Sequence, residues 1–238
     1  MIIDSLYDAT SKVIDIGCGN GLLTRKIASK FKEIYSIDIN KKRLENLKRL
    51  CCENNIGNVH VMEMSAYKLE YMDNQFDLAI FYRSVDHIAD YERAITEAYR
   101  VLKKGKMIYI NVANTRKTSK AIECMNELRE FEDELFEYLG TSEGMCEFLP
   151  VNIDLLIEYL RTTGLKKIEQ NDIKIEESKV REYYQNVINS IREMMKSIET
   201  KSESQYETFL KKFEDINTKI ENNGYDLLPL VEITGTKK

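Results

Sequence analysis

The chain has 238 residues, 43% of them apolar and 32% charged, with a formal net charge of −5. That length fits one domain with a sizeable elaboration rather than two full domains, and the acidic balance argues against a nucleic-acid partner, which usually meets a basic face. No apolar run is long enough to span a bilayer and no charged segment leads into a short apolar one, so no membrane contact and a cytoplasmic location are expected.

The five cysteines, Cys18, Cys51, Cys52, Cys124 and Cys146, show no metal-ligand spacing. An odd number without an export signal fits free thiols in a reducing compartment. The two histidines, His60 and His87, are too few for a histidine-rich site, and no metal is expected.

Met1 to Ser11 is short, with Tyr7 its one aromatic residue, and reads as a terminus rather than a cover. Val13 to Ile16 then alternates around Asp15 as a strand and breaks into Gly17-Cys18-Gly19-Asn20-Gly21. Glycines at alternate positions leave a backbone able to take positive φ and to approach a ligand closely. Leu22, Leu23, Ile27, Ala28 and Phe31 have helical spacing, so the expected order is strand, tight loop, helix over 22–31. Glu33 to Ile37 is strand-like and ends in Asp38, roughly 20 residues after the loop, where a neighbouring parallel strand delivers a carboxylate to a ribose. A nucleoside ligand at the C-terminal edge of a parallel sheet follows. The dinucleotide fingerprint wants its third glycine one place later, where Leu22 stands.

The arrangement Asp15, Gly17, Gly19, Gly21 instead resembles motif I of class I S-adenosylmethionine-dependent methyltransferases, and the resemblance continues in order through about the first 110 residues. It implies S-adenosyl-L-methionine as cofactor, held by Asp15, Gly17, Cys18, Gly19, Asn20 and Gly21, by Asp38 on the ribose and Ile39 against the adenine. Asn40 caps a helix over Lys41 to Glu53 with Leu44, Leu47 and Leu50 inward, Gly57-Asn58 turns the chain, and Val59 to Glu63 is the third strand. In Met64-Ser65-Ala66-Tyr67-Lys68-Leu69, Ser65 stands where the family has an aspartate facing the adenine amino group, and Ala66 keeps a backbone N–H for the ring. Gln75 to Tyr82 is the fourth strand, resembling motif IV, and adds Tyr82 and Arg83 to the expected cofactor residues. Arg83-Ser84-Val85-Asp86-His87-Ile88 replaces the family's loop ending in Leu-His-His; Asp86 and His87 are the catalytic candidates, since imidazole titrates near neutrality. The plainer reading is that His87 orients the loop. Tyr91 to Leu102 is helical, Arg100 to Lys106 resembles the family's turn, and Met107 to Val112 is the fifth strand.

Past residue 113 the resemblance thins. Arg116 to Leu139 is an amphipathic helix with an acidic outer side, Thr141 to Pro150 a loop, Asn152 to Thr163 a helix ended by Gly164, and Lys166 to Ile175 a strand. Val180 to Ile198 and Tyr206 to Ile220 form a helical hairpin across the turn Lys201 to Ser204, and Leu227 to Thr236 is the last strand. Tyr183 and Tyr184 read as packing more than as substrate contacts.

The expected fold is α/β: a Rossmann-like, doubly wound, seven-stranded and mostly parallel sheet with a last antiparallel strand, plus helical cap insertions. The core covers 1–175 and 223–238, with a helical insertion at 113–150 and a helical hairpin at 176–222 that either caps the site or forms a homodimer interface. The expected function is methyl transfer from S-adenosyl-L-methionine to a small-molecule acceptor by in-line displacement. An RNA or protein methyltransferase and a non-catalytic S-adenosylmethionine-binding regulatory protein are the alternatives, and a dehydrogenase is a distant third.

Overall fold

A computed structural model describes residues 5–6, 8–140 and 148–238. Tyr7, Cys146 and most of the expected 141–150 loop lie outside the described residues. Among these the strands are β1 (Asp8–Ile16), β2 (Phe31–Asp38), β3 (Val59–Glu63), β4 (Phe76–Tyr82), β5 (Leu102–Ala113), β6 (Leu165–Ile173) and β7 (Leu230–Lys237). The helices are α1 (Leu22–Ile27), α2 (Lys41–Glu53), α3 (Tyr91–Val101), α4 (Lys120–Tyr138), α5 (Ile153–Thr163), α6 (Glu177–Glu199) and α7 (Glu203–Asn223).

The seven strands form one sheet in the order β3-β2-β1-β4-β5-β7-β6. The first five run parallel, and β7 is antiparallel to both β5 and β6. The chain winds outward from β1 to β3, then returns to lay β4 and β5 on the other side, so a topological switch point falls between β1 and β4, where α/β sheets open a crevice. The inner strands read as near-continuous apolar runs because both faces are covered. Ile14, Ile37, Phe81 and Ile110 pack against Ala94, Ile95, Leu156 and Leu160 on one face. Val13, Ile34, Ile80 and Tyr109 pack against Leu23 and Ile27 on the other.

Helix boundaries follow local hydrogen bonding. Asn40 and Asn152 cap α2 and α5 through their side-chain oxygens, and Gly164 closes α5 at φ 107°. The helix expected over 22–31 is shorter: α1 gives way to a 3₁₀ turn at Ala28–Lys30, and Phe31 opens β2. The Asn58 side-chain amide donates to the carbonyls of Ala28 and Phe31 at 2.8 and 2.9 Å, satisfying acceptors that a continuing helix would have used. The turn expected over Arg100 to Lys106 is the end of α3 followed by a bulge inside β5, where pairing jumps from Phe76–Leu102 to Leu78–Met107 and Gly105 sits at φ 73°. Ser119 caps α4, which starts after the expected Arg116, and Pro229 stands just before β7 rather than inside it.

The chain divides into two compact units. The first comprises Met1–Thr115, Cys146–Ile173 and Leu230–Lys238, the whole sheet with α1, α2, α3 and α5. The second comprises Arg116–Met145 and Lys174–Pro229, so α4, α6 and α7 share one core. That core is apolar, with Leu128, Phe131, Leu135, Ile191, Ile198 and Ile216 buried and the Phe131 and Phe213 rings stacked 6.0 Å apart. Tyr184 stacks on Tyr225 at 4.9 Å within this unit. Two members of the acidic face of α4 are also engaged there, Glu127 with Lys219 at 2.8 Å and Glu134 with Lys212.

Candidate active site

The loop after β1 turns back on its neighbours. The N–H groups of Gly17 and Cys18 both donate to the carbonyl of Ile37 on β2, at 2.9 and 3.0 Å, and the N–H of Gly21 donates to that of Cys18. Gly17, Gly19 and Gly21 all take positive φ, at 71°, 53° and 69°. A Cβ on Gly17 would lie 2.7 Å from Cβ of Ser84, and one on Gly21 only 2.1 Å from Cδ1 of Leu47, whereas one on Gly19 would meet nothing within 4 Å. Two of the glycines are therefore required by packing inside the protein, and the third borders open space.

That space is a cavity of about 430 Å³ at the C-terminal edge of the sheet. From the glycine loop, Asp15, Gly17, Cys18, Gly19 and Asn20 line it; Asp38 and Ile39 do so from the end of β2, Ser65 and Ala66 from beyond β3, and Tyr82, Arg83 and His87 from the end of β4. Gly21 and Asp86, also singled out from the sequence, are not among its walls.

The two carboxylates of the cavity are held differently. Asp38 accepts from the N–H of Gly19 and the N–H of Asn40, each at 2.8 Å, so it ties the loop to its own strand end while keeping further lone pairs. Asp15 is buried and accepts from the Thr24 hydroxyl at 2.5 Å, and Thr24 in turn meets Ser36 at 3.1 Å. Burial pushes the Asp15 carboxyl up to about 6. Burial likewise raises the Cys18 thiol, with Asp15 and Asp38 adding to the effect, so this sulfur stays protonated.

Beyond β4, the Ser84 hydroxyl donates to the Ile16 carbonyl at 2.8 Å, and a 3₁₀ turn at Val85–His87 presents His87 to the cavity. Asp86 is turned inward and buried; its Oδ1 finds no hydrogen-bond partner among the described residues and lies 3.9 Å from His87 Nε2, too far for a hydrogen bond. Ser65 Oγ accepts from the N–H of Tyr67 at 3.2 Å.

The walls also include residues not expected at the site, among them Leu22, Arg43, Met64, Tyr67, Ser84 and Ile88. Leu22 carried the one available signal, an apolar residue at the first position of a helix. It is 67% exposed, as Ile39 is 69%, and both border the cavity. Two exposed apolar side chains, an open glycine face and a carboxylate with spare lone pairs fit an adenosyl group: a flat ring between apolar surfaces and a sugar on the acid.

The strand order of the sheet is that of the Rossmann-like methyltransferase fold. Residues 14–110, about two fifths of the chain, match the family model described as a methyltransferase domain. Over 124 residues it is 30% identical to the ubiquinone/menaquinone biosynthesis C-methyltransferase UbiE of Rickettsia akari, covering 49% of this chain and 50% of that protein. The chain thus spans about half the length of the curated relatives it matches. Its fold is similar to that of the [4+2]-cyclase SpnF, with a TM-score of 0.66 and 18% identity over 98% of this chain and 77% of that one. It is also similar to phosphoethanolamine N-methyltransferase 2 of Haemonchus contortus, solved with phosphomonomethylethanolamine and S-adenosylhomocysteine, with a TM-score of 0.60 and 18% identity over 97% and 50% of the two chains. Among the described residues no helix is long and apolar enough to cross a membrane, and no cluster of metal-binding side chains occurs.

Proposed function

We propose that this protein binds S-adenosylmethionine in the cavity beside the glycine loop and passes its methyl group to a small-molecule acceptor. The observation that carries the reading is the open face of Gly19 set beside the Asp38 carboxylate, two features that packing alone does not require together. Asp38 holds the ribose hydroxyls, Ile39 and Leu22 flank the adenine, and Ser65 Oγ with the Ala66 N–H serves the adenine edge. Asp15 supports the loop from beneath through Thr24.

The cofactor brings a methyl group on a positively charged sulfur, already activated for displacement. The chain's share is therefore to align and to exclude water, and alignment alone supplies on the order of 7–11 kcal/mol in well-oriented cases. Where the acceptor must lose a proton, His87 is the group placed to take it, because it borders the cavity while Asp86 does not. A cavity of about 430 Å³ suits a cofactor with a small acceptor reaching its mouth.

The test is calorimetric titration with S-adenosylmethionine, S-adenosylhomocysteine and NAD, followed by incubation with methyl-labelled cofactor and a metabolite extract. Binding of the first two, none of NAD, and label in a small-molecule fraction are expected. Label only in RNA or protein, or cofactor binding without any transfer, would replace the acceptor half of the proposal. Full affinity in Gly19→Val would overturn the site.

A further inference from the structure

We infer that Arg83 selects the acceptor by holding an anionic oxygen group on it, a carboxylate or a phosphate, at the end of the cavity away from Asp38. The inference rests on the cavity being the S-adenosylmethionine site. Sequence resemblance had grouped Arg83 with the cofactor residues; its surroundings point elsewhere.

Arg83 directly follows β4 and takes φ 51°, a left-handed conformation uncommon for a residue with a side chain and one that clusters at functional sites. The conformation is fixed on both sides. Its N–H donates to the Asn111 carbonyl on β5 at 2.8 Å, and the next residue, Ser84, is fastened by its hydroxyl to the Ile16 carbonyl. Held this way, Arg83 is exposed on the cavity wall, and no hydrogen bond or ion pair engages its guanidinium among the described residues. Other arginines are engaged within the protein: Arg100 pairs with Glu97 and Asp73, and Arg49 with Glu53.

Charge in the cavity is unevenly placed. Both of its carboxylates, Asp15 and Asp38, belong to β1 and β2 and already accept hydrogen bonds, and Arg43 of α2 lines the cavity as well. Arg83 and His87 stand at the end of β4, with the buried Asp86 carboxylate behind His87 at 3.9 Å. In the order β2-β1-β4, two strand spacings, about 10 Å, separate the ribose acid from Arg83. A sugar seated on Asp38 leaves the sulfonium centre near β4, so sulfonium and guanidinium are two positive charges in one partly closed space. The cofactor's own carboxylate can answer one of them; an anionic oxygen group on the acceptor answers the other, and the planar guanidinium can grip it with two parallel hydrogen bonds.

The test uses the full chain saturated with S-adenosylhomocysteine and titrated, by chemical-shift perturbation, with benzoate, phenyl phosphate and the neutral benzamide. At least one of the two anions should bind about tenfold or more tighter than benzamide, and whichever binds better separates carboxylate from phosphate. Arg83→Gln should abolish that preference while S-adenosylhomocysteine affinity stays within about twofold, and Arg83→Lys should restore part of it. A tenfold loss of S-adenosylhomocysteine affinity in Arg83→Gln would overturn the inference by assigning the guanidinium to the cofactor's own carboxylate. So would equal binding of benzamide and the anions, or no anion binding at all. A parent protein that fails to bind S-adenosylhomocysteine fails the cofactor reading first, and the inference falls with it.

Discussion

The two units bury different chemistry. The buried polar and charged residues among those described, from Ser11 and Asp15 to Thr234 and Lys237, belong to the sheet unit; the buried residues of the helical unit are apolar, with Oδ1 of the half-buried Asn217 the buried polar atom there that has no partner among the described residues. Within the sheet unit the polar set divides again. Lys237, at the edge where α3 ends, donates to the carbonyls of Tyr99 and Leu102 and to Asn74, a complete set of partners with a structural purpose. At the opposite edge Asp15, Ser36, Asp38, Ser84 and Asp86 gather around the cavity or beneath it, and Asp86 Oδ1 has no hydrogen-bond partner among the described residues. Burying polar groups costs free energy that an apolar core avoids. Their concentration at one edge of one unit therefore marks where stability has been given up for binding.

The comparison is tested most severely in the helical unit. Phe131 is buried with the rings of Phe209 and Phe213 about 6 Å away, and Phe131→Ala should cost about 3–5 kcal/mol, read by thermal or urea denaturation. Because every residue lining the cavity belongs to the sheet unit, S-adenosylhomocysteine affinity measured under folding conditions should stay within about twofold. A parallel loss of affinity would show that stability and binding are not separated in the way the burial pattern implies.

Next come the glycines, which carry the same distinction into a single loop. Gly21→Ala drives a Cβ into Leu47 and forces a left-handed alanine, so overpacking and backbone strain together should cost about 2–4 kcal/mol. Gly19→Ala meets no neighbour and carries only the backbone penalty, about 1 kcal/mol, yet it should weaken S-adenosylmethionine binding by about tenfold or more because its methyl enters the ligand's space. Denaturation and calorimetry on both variants should rank them in opposite orders.

Asp15 gives a pH signature to the sheet unit. Its carboxyl sits near 6 in the folded chain against an ordinary 3.8, because burial disfavours the charged form. The folded state thus retains a proton that the unfolded chain releases. This contribution is fully present below about pH 4, declines as pH rises, and is spent above about pH 6. Asp15→Asn keeps an acceptor for Thr24 and removes the charge. It should flatten stability between pH 4 and 6 and raise it at pH 7 by about 2–3 kcal/mol, as followed by urea denaturation across that range. An unchanged slope would place the titration elsewhere.

How much of this was legible beforehand depended on whether a signal was local. The sheet, the caps at Asn40, Asn152 and Gly164, and the glycine loop follow from periodicity and turn chemistry carried within a few residues. The end of α1 did not, because Asn58, some 30 positions away, supplies the amide that terminates it. Leu22 and Met64 each sit next to an expected site residue, and Arg43 lies in the first turn of α2; beyond the apolar start of α1 at Leu22, none carries a sequence signal of its own that it lines the cavity. The different tasks of the three glycines are invisible in sequence, since Leu47 and Ser84 decide two of them from a distance.

Asp38 is where the two kinds of burial meet in one side chain, and it gives the smallest and most discriminating prediction. From the sequence alone its carboxylate served the ribose only. In the structure it also receives the amides of Gly19 and Asn40, so it shapes the loop that the ligand would touch. Asp38→Asn keeps the volume but replaces one accepting oxygen with a donor, leaving either a loop amide or a ribose hydroxyl unmatched. We expect S-adenosylhomocysteine affinity to fall by about tenfold, about 1.4 kcal/mol, with a loss of stability under about 1 kcal/mol in the ligand-free chain. If stability falls and affinity does not, the carboxylate belongs to the loop alone, and the sugar must be held by some other group at the cavity wall.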